Sequence, residues 1–393
     1  MIMPKVGFIT YGVHKDGLQD PMGAPFIDED LVVLAKRSLR EAGIELVEHK
    51  TVIASKVEAK ECLSRFKKMD DVDAVVLFSG IRLAKYGDVI AARTGLGRTW
   101  MGLVVMAAVT SLPELITGAS AIVIVDVPNI AAGDAIGSCM FNLLILAMLD
   151  IRNPAPLSAS IHQGHVLAGG FGLIQLGLAA LAMAAGSYGP MVGWVGVQSF
   201  VFLGLYGFAA RLIFKYERGR ISELAEEIAG EDLEDKMSLR GAVIRYSAAA
   251  GLLVAAAAYL PAAAEGLAQV TGLGRSFVGS LFVAASTSLP EIVVSMAAAR
   301  LGALDMAAAN LFGSNIFNVA VLGVDDLLYT RGSLLVDIAP VHLVTLVSAM
   351  MMTAVAVIGL TYRAQRKRFR LSWDAFFIVG IYAVGTWLLW QMQ

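Results

Sequence analysis

From about residue 100 onward, long apolar stretches alternate with short polar ones, and each apolar stretch runs about 20 residues, the length a helix needs to cross a hydrocarbon core of about 30 Å. Nine such stretches lie near residues 100–123, 129–150, 164–186, 190–214, 241–263, 274–299, 305–328, 336–360 and 373–391. Residues 1–79 follow another pattern, with short apolar runs separated by amphipathic segments. Val6–Thr10, Ile44–Val47 and Val72–Phe78 read as strands and Asp28–Ala42 and Val57–Lys68 as helices, in the order β-α-β-α-β. The pattern predicts an all-α polytopic membrane protein of about nine to ten transmembrane helices, preceded by a small α/β segment. Its expected divisions are a soluble fragment at 1–79, a first membrane half at 80–214, a cytoplasmic linker at 215–240 and a second membrane half at 241–393.

Composition agrees with the pattern. Hydrophobic residues make up 57% of the 393 and charged residues only 16%, against about a quarter charged in soluble domains. The formal net charge of -2 leaves no broad basic surface, which excludes nucleic acid as a partner. Cys62 and Cys139 imply neither a disulfide framework nor a zinc site, and the first residues run straight into polar sequence, so no secretory signal is expected. Lys215, Arg218, Arg220, Lys236 and Arg240 lie between the fourth and fifth stretches, with Arg245 at the start of the fifth, and Arg363, Arg366, Lys367, Arg368 and Arg370 between the eighth and ninth. Both clusters are expected on the cytoplasmic side, and an even number of spans between them makes the two assignments agree. The acidic run Glu223–Asp235 reads as a solvated linker helix rather than an ion sensor. The expected location is the cell (inner or plasma) membrane, crossed many times, with the lipid bilayer as a partner.

The chain also repeats itself. TGLGRTWMGLVVMAAVTSLPELITG from Thr94 returns as TGLGRSFVGSLFVAASTSLPEIVVS from Thr271, a displacement of 177 residues. GDAIGSCMFNLLILAMLD from Gly133 returns as ANLFGSNIFNVAVLGVDD from Ala309, displaced by 176. The repeated units begin five spans apart, an odd number, so they cross in opposite directions, and inverted repeats with broken polar helices near the midplane are the architecture of secondary transporters.

The polar residues of each unit fall at helical spacing. Thr110 and Glu114 share one helix face, as do Thr287 and Glu291, with Ser111 and Ser288 beside them. Pro113 and Pro290 lack a backbone N–H, which is expected to free the carbonyls of Val109 and Ser286. Asp134, Ser138 and Asn142 form a stripe that returns as Asn310, Ser314 and Asn318, while Gly137 and Gly313 allow close helix approach. A carboxylate at membrane depth costs roughly 2.5–3.5 kcal/mol on insertion scales, and no basic residue lies within either motif to balance Glu114, Glu291 and Asp134. A bound cation would. The donors are all oxygen, which suits Ca²⁺, Na⁺ or Mn²⁺ rather than zinc or copper. Cys139, one residue off the stripe, reads as packing.

TSLPE paired with G(D/N)xxGSxxFN, twice, resembles the sodium/calcium exchanger family of cation antiporters from about residue 80 to the end. The resemblance implies ten spanning helices in inverted halves of five, alternating access and transport of Ca²⁺ against Na⁺, without a cofactor and without enzymatic chemistry. Residue by residue it places Thr110, Ser111, Glu114, Ser138 and Asn142 of the first repeat and Thr287, Ser288, Glu291, Ser314 and Asn318 of the second in the ion site, with Glu114, Glu291, Asn142 and Asn318 as metal ligands. Asp134 and Asn310 extend the same stripe. The family's second motif ends in Asp where Asn318 stands here, so H⁺ in place of Na⁺ is the nearest alternative, for Ca²⁺ or another divalent ion. The opening residues, PKVGFITYGVHKDGLQDPMGAPFIDEDLV and FKKMDDVDAVVLFSG, resemble the N-terminal part of fucose isomerase-like proteins, whose metal ligands lie beyond this stretch. GIRLAKYGDVIA from Gly80 matches only the tail of the family's first helix. The expectation is therefore nine helices, with the alternative that an isomerase-like module is joined to a membrane domain that binds ions without transporting them.

Overall fold

A computed structural model describes residues 5–8, 45–48, 72–94, 98–225, 238–257, 274–367 and 370–392. The chain divides into two compact units, Met1–Phe78 and Ser79–Gln393. In the first, β1 (Lys5–Phe8) and β2 (Glu45–Glu48) pair in parallel, with Val6 opposite Leu46. Parallel strands require a crossover connection. The helices expected at Asp28–Ala42 and Val57–Lys68 lie outside the described residues, as does Cys62.

Residues 72–78, expected as a third strand, instead begin a helix, α1 (Val72–Thr94). The apolar run there is not closed by a turn. Leu83, Ala84, Tyr86, Val89 and Ala91 continue it at helical spacing and are buried, and a period held over 23 residues outweighs a short β-favouring run. The long helices among the described residues therefore number ten rather than nine.

The others are α2 (Met101–Val125), α3 (Pro128–Arg152), α4 (His165–Ala185), α5 (Val197–Ala225), α6 (Leu239–Ala257), α7 (Arg275–Thr287 and Leu289–Arg300, bent by 40° at Ser288), α8 (Leu304–Leu328), α9 (His342–Tyr362) and α10 (Trp373–Gln391). Seven of these are long and apolar enough to cross a membrane, and the bent pair α7 makes eight. The remaining two, α1 with Arg82, Lys85 and Asp88 and α6 with Arg240 and Arg245, are not among them.

The repeat extends well beyond the motifs that revealed it. Both α2 and α7 carry near their start six residues of wide π-helical turn, Met101–Met106 and Val278–Val283, followed by four α-helical residues and a break. The partners α3 and α8 are 25 residues each, and α4 and α9 are 21 each. Even the helix stops correspond. Asp150 near the end of α3 accepts N–H bonds from Leu157 (2.7 Å) and Ser372 (2.8 Å), and Asp326 near the end of α8 accepts them from Leu334 (2.5 Å) and Gly196 (2.9 Å).

Contacts at the helix ends establish that the halves are antiparallel. At one end, Asp126 after α2 is paired with Arg331 after α8. At the other end, Arg152 of α3 reaches Met296 of α7, His165 opens α4 beside Asp305 of α8, and Lys367 pairs with Asp150. Arg363 and Lys367 lie at this second end, and Tyr216, which follows Lys215, lies with its ring tilted against that of His162 there. It is the end that the positive-inside rule expects on the cytoplasmic side.

The two inner helices, α3 and α8, have 89% of their apolar windows buried, whereas α5 and α10 have 22% and 28%. The exposed residues of the outer helices are large and apolar, among them Ile174, Leu181, Phe208, Ile358 and Phe377, as a surface facing lipid requires.

Candidate cation-binding site

Each broken helix interrupts at the Ser of Thr-Ser-Leu-Pro-Glu. Ser111 (φ -92°, ψ 7°) and Ser288 (φ -83°, ψ 5°) leave the α region, and a second half-helix starts at Leu112 and Leu289. Proline explains the restart: Pro113 and Pro290 stand in the first turn of the new segment, where a missing N–H costs no intrahelical bond. The same turn carries Glu114 and Glu291, so each carboxylate sits at the positive end of a half-helix dipole.

Glycines bring the partner helices in. A Cβ at Gly137 of α3 would stand 2.7 Å from Ser280 Cα of α7, and one at Gly313 of α8 would stand 2.8 Å from the carbonyl carbon of Leu103 in α2. The seam is therefore glycine against backbone in both halves.

All twelve residues expected in the site are buried within α2, α3, α7 and α8, and eleven are joined by hydrogen bonds in which the repeats exchange partners. Ser111 donates to Glu291 Oε1 (3.0 Å), and Ser288 donates to Glu114 Oε1 (3.3 Å). Thr287 donates to Asp134 Oδ1 (2.6 Å), and Thr110 donates to the equivalent Asn310 Oδ1 (3.3 Å). Ser138 lies 3.4 Å from Thr287 and accepts from Ser288 (3.0 Å), while Ser314 lies 3.5 Å from Thr110 and donates to Glu291 (3.1 Å). Two clusters result, each made by a carboxylate of one repeat and a hydroxyl of the other.

Two residues outside the expected set hold the stripe in place. Asn315 accepts from Asn142 Nδ2 (3.0 Å) and donates to the carbonyl of Cys139 (3.2 Å). Ser295 accepts from Asn310 Nδ2 (3.3 Å). Asn315 is the polar residue next to Ser314 in GSNIFN, and Ser295 follows Glu291 by one turn on the same face. Those positions were the available signals. Cys139 is buried and donates to the Ala135 carbonyl at 3.4 Å, a packing role.

After these bonds are counted, Glu114 Oε2, Glu291 Oε2, Asp134 Oδ2, Asn142 Oδ1 and both polar atoms of Asn318 have no partner. A buried polar atom without a partner costs free energy of order 1–3 kcal/mol, more when charged. The unpartnered carboxylate oxygens and the amide oxygens of Asn142 and Asn318 are hard oxygen donors, the kind that Na⁺ and Ca²⁺ take. Among the described residues no three His, Cys, Asp or Glu side chains gather as a metal-holding group.

Inverted five-helix halves around buried half-helix carboxylates define a polytopic secondary transporter rather than an enzyme. A family model described as sodium/calcium exchanger protein matches residues 74–215 and 244–391, and the chain belongs to that family, a multi-pass membrane exchanger of cations. It is similar to an uncharacterized membrane protein of Methanocaldococcus jannaschii, 29% identical over 220 residues, covering 56% of this chain and 67% of the relative. It also resembles the inner membrane protein YrbG of Escherichia coli, 27% identical with 65% and 80% covered. A short stretch of 63 residues is 43% identical to the sodium/calcium exchanger MaX1 of Methanosarcina acetivorans, 16% of this chain and 18% of the relative. Among solved structures, the sodium-calcium exchanger NCX_Mj shares the fold, with a TM-score of 0.57, 24% identity and coverage of 80% and 94%. The match begins at residue 74, inside α1.

Proposed function

We propose that this chain exchanges Na⁺ for Ca²⁺ by alternating access, with Glu114, Glu291, Asn142 and Asn318 as the Ca²⁺ ligands and Thr110, Ser111, Asp134, Ser138, Thr287, Ser288, Asn310 and Ser314 completing the Na⁺ positions. The observation that carries this reading is the set of unpartnered buried oxygens on Glu114, Glu291 and Asp134, with no basic side chain in either Thr-Ser-Leu-Pro-Glu segment or in the facing stripes. A cation supplies the missing charge, and exchange of one cation for another keeps the carboxylates compensated throughout a cycle. The near-symmetry of the site supports alternating access, because the same contacts can be met from either side of an inverted repeat. The residues before α1 are read as a separate α/β segment.

Reconstituted vesicles test the reading directly. An outward Na⁺ gradient should drive Ca²⁺ uptake, and Glu114→Gln should abolish it. Uptake driven by a proton gradient and indifferent to Na⁺ would replace Na⁺ with H⁺ as the coupling ion. Absence of uptake under either gradient, or uptake unaltered in Glu114→Gln, would overturn transport by this site.

A further inference from the structure

Beyond the central site, toward the end of the bundle away from the basic loops, the two halves stop matching. On the outer part of α2, Thr117 and Gly118 follow Glu114 by three and four residues, on the same face. In α8, Asp325 follows Asn318 by seven residues, two turns along the same face. Asp325 is fully buried and neither carboxylate oxygen has a hydrogen-bond partner. Thr117 is likewise fully buried, with its hydroxyl unpartnered. The carboxylate rests on Gly118, where an added Cβ would stand 2.7 Å from Oδ1. Asp325 is not the helix stop. That work falls to Asp326, which accepts from Gly196, Ser199 and Leu334.

Two of the three corresponding positions in the other half are apolar. Thr117 corresponds to Val294 and Asp325 to Leu149, both buried, and Gly118 corresponds to Ser295, which is engaged with the Ala307 carbonyl (3.3 Å) and Asn310 (3.3 Å). Where one half has an unbalanced carboxylate and a free hydroxyl, the other has hydrocarbon. A purely structural residue would not need a charge there, since its counterpart packs without one.

We infer that Asp325 and Thr117 form a second, weaker cation site on the outer side only, a staging position for Na⁺ between the outer surface and the central ring. One carboxylate balances one charge, which favours a monovalent ion, and carboxylate and hydroxyl oxygens suit a hard one. The site rests on the exchange reading for its role in transport but not for its existence.

Equilibrium binding of radioactive Na⁺ to the purified full-length chain tests it. The wild type should bind in two components, with the weaker one lost in Asp325→Asn and in Asp325→Leu and weakened about five-fold in Thr117→Val, the loss of one hydroxyl ligand. The tighter component should persist in all three. Thr117→Val carries the test if the Asp325 variants fail to fold. Wild-type curves in both Asp325→Asn and Thr117→Val would overturn the site and make Asp325 a buried neutral acid. Two components without Na⁺-driven Ca²⁺ uptake would leave this site standing and remove the exchange reading. Uptake with a single component unaffected by Asp325→Asn would do the reverse.

Discussion

The inner pair α2–α3 and the inner pair α7–α8 have nearly the same backbone and different charges. Both break at serine after matching π-helical turns, both restart at proline, and both press a glycine onto a neighbouring backbone. Yet Asp134 stands opposite Asn310, Thr117 opposite Val294 and Leu149 opposite Asp325. The shared part builds a scaffold that can be approached from either side, and the unshared part distinguishes the two approaches. His165 and His342 make the same point at the start of α4 and α9. His165 contacts Asp305 at 3.1 Å, whereas both ring nitrogens of His342 lack a partner.

Substitutions that test the shared part should have the largest effects. Glu114→Gln and Glu291→Gln each remove a charged ligand, and each should lower Na⁺-driven Ca²⁺ uptake by roughly 100-fold or more, an interaction of the charge-assisted class. Similar losses on both sides would support equivalence, and a loss confined to one would break it. Gly137→Ala and Gly313→Ala should follow, each lowering stability by about 1–3 kcal/mol through overpacking, read as a drop in melting temperature in detergent. Asp134→Asn makes the stripes chemically alike and should weaken cation binding about ten-fold while Asn310→Asp partly restores it in the double variant, as measured by equilibrium binding. Ser111→Ala and Ser288→Ala should be the mildest. Each removes one hydrogen bond to a glutamate, and a change of about ten-fold or less in apparent affinity is expected. Unequal effects would reveal which glutamate dominates.

Much of this architecture is written in the order of residues. The displacement of 177 residues and the four-residue spacing of Thr110 and Glu114 anticipated the two broken helices, and the Asp134, Ser138, Asn142 stripe anticipated the facing one. What escaped sequence reading depends on partners far away in the chain. Asn315 matters because it faces Asn142, 173 residues earlier, and Ser295 because it meets Asn310 across a tight turn. Asp325 and Asp326 look alike in sequence, and only the three donors converging on Asp326 separate a helix stop from an unbalanced charge. At the start of α1, five apolar residues from Ala74 to Phe78 suit a strand locally, while the burial of Leu83, Tyr86 and Val89 that fixes the helix is a property of the folded unit.

The glycine seams also bear on how two copies of one ancestral segment could grow apart. Where side chain meets side chain, as where Asp134 meets Thr287 and Asn310 meets Thr110, a replacement changes chemistry and leaves the scaffold standing, so divergence has room. Where Gly137 meets Ser280 and Gly313 meets the backbone at Leu103, any other residue would have to displace main chain. Those two positions admit a single amino acid, and they mark the limit within which the halves of a duplicated gene can acquire separate duties.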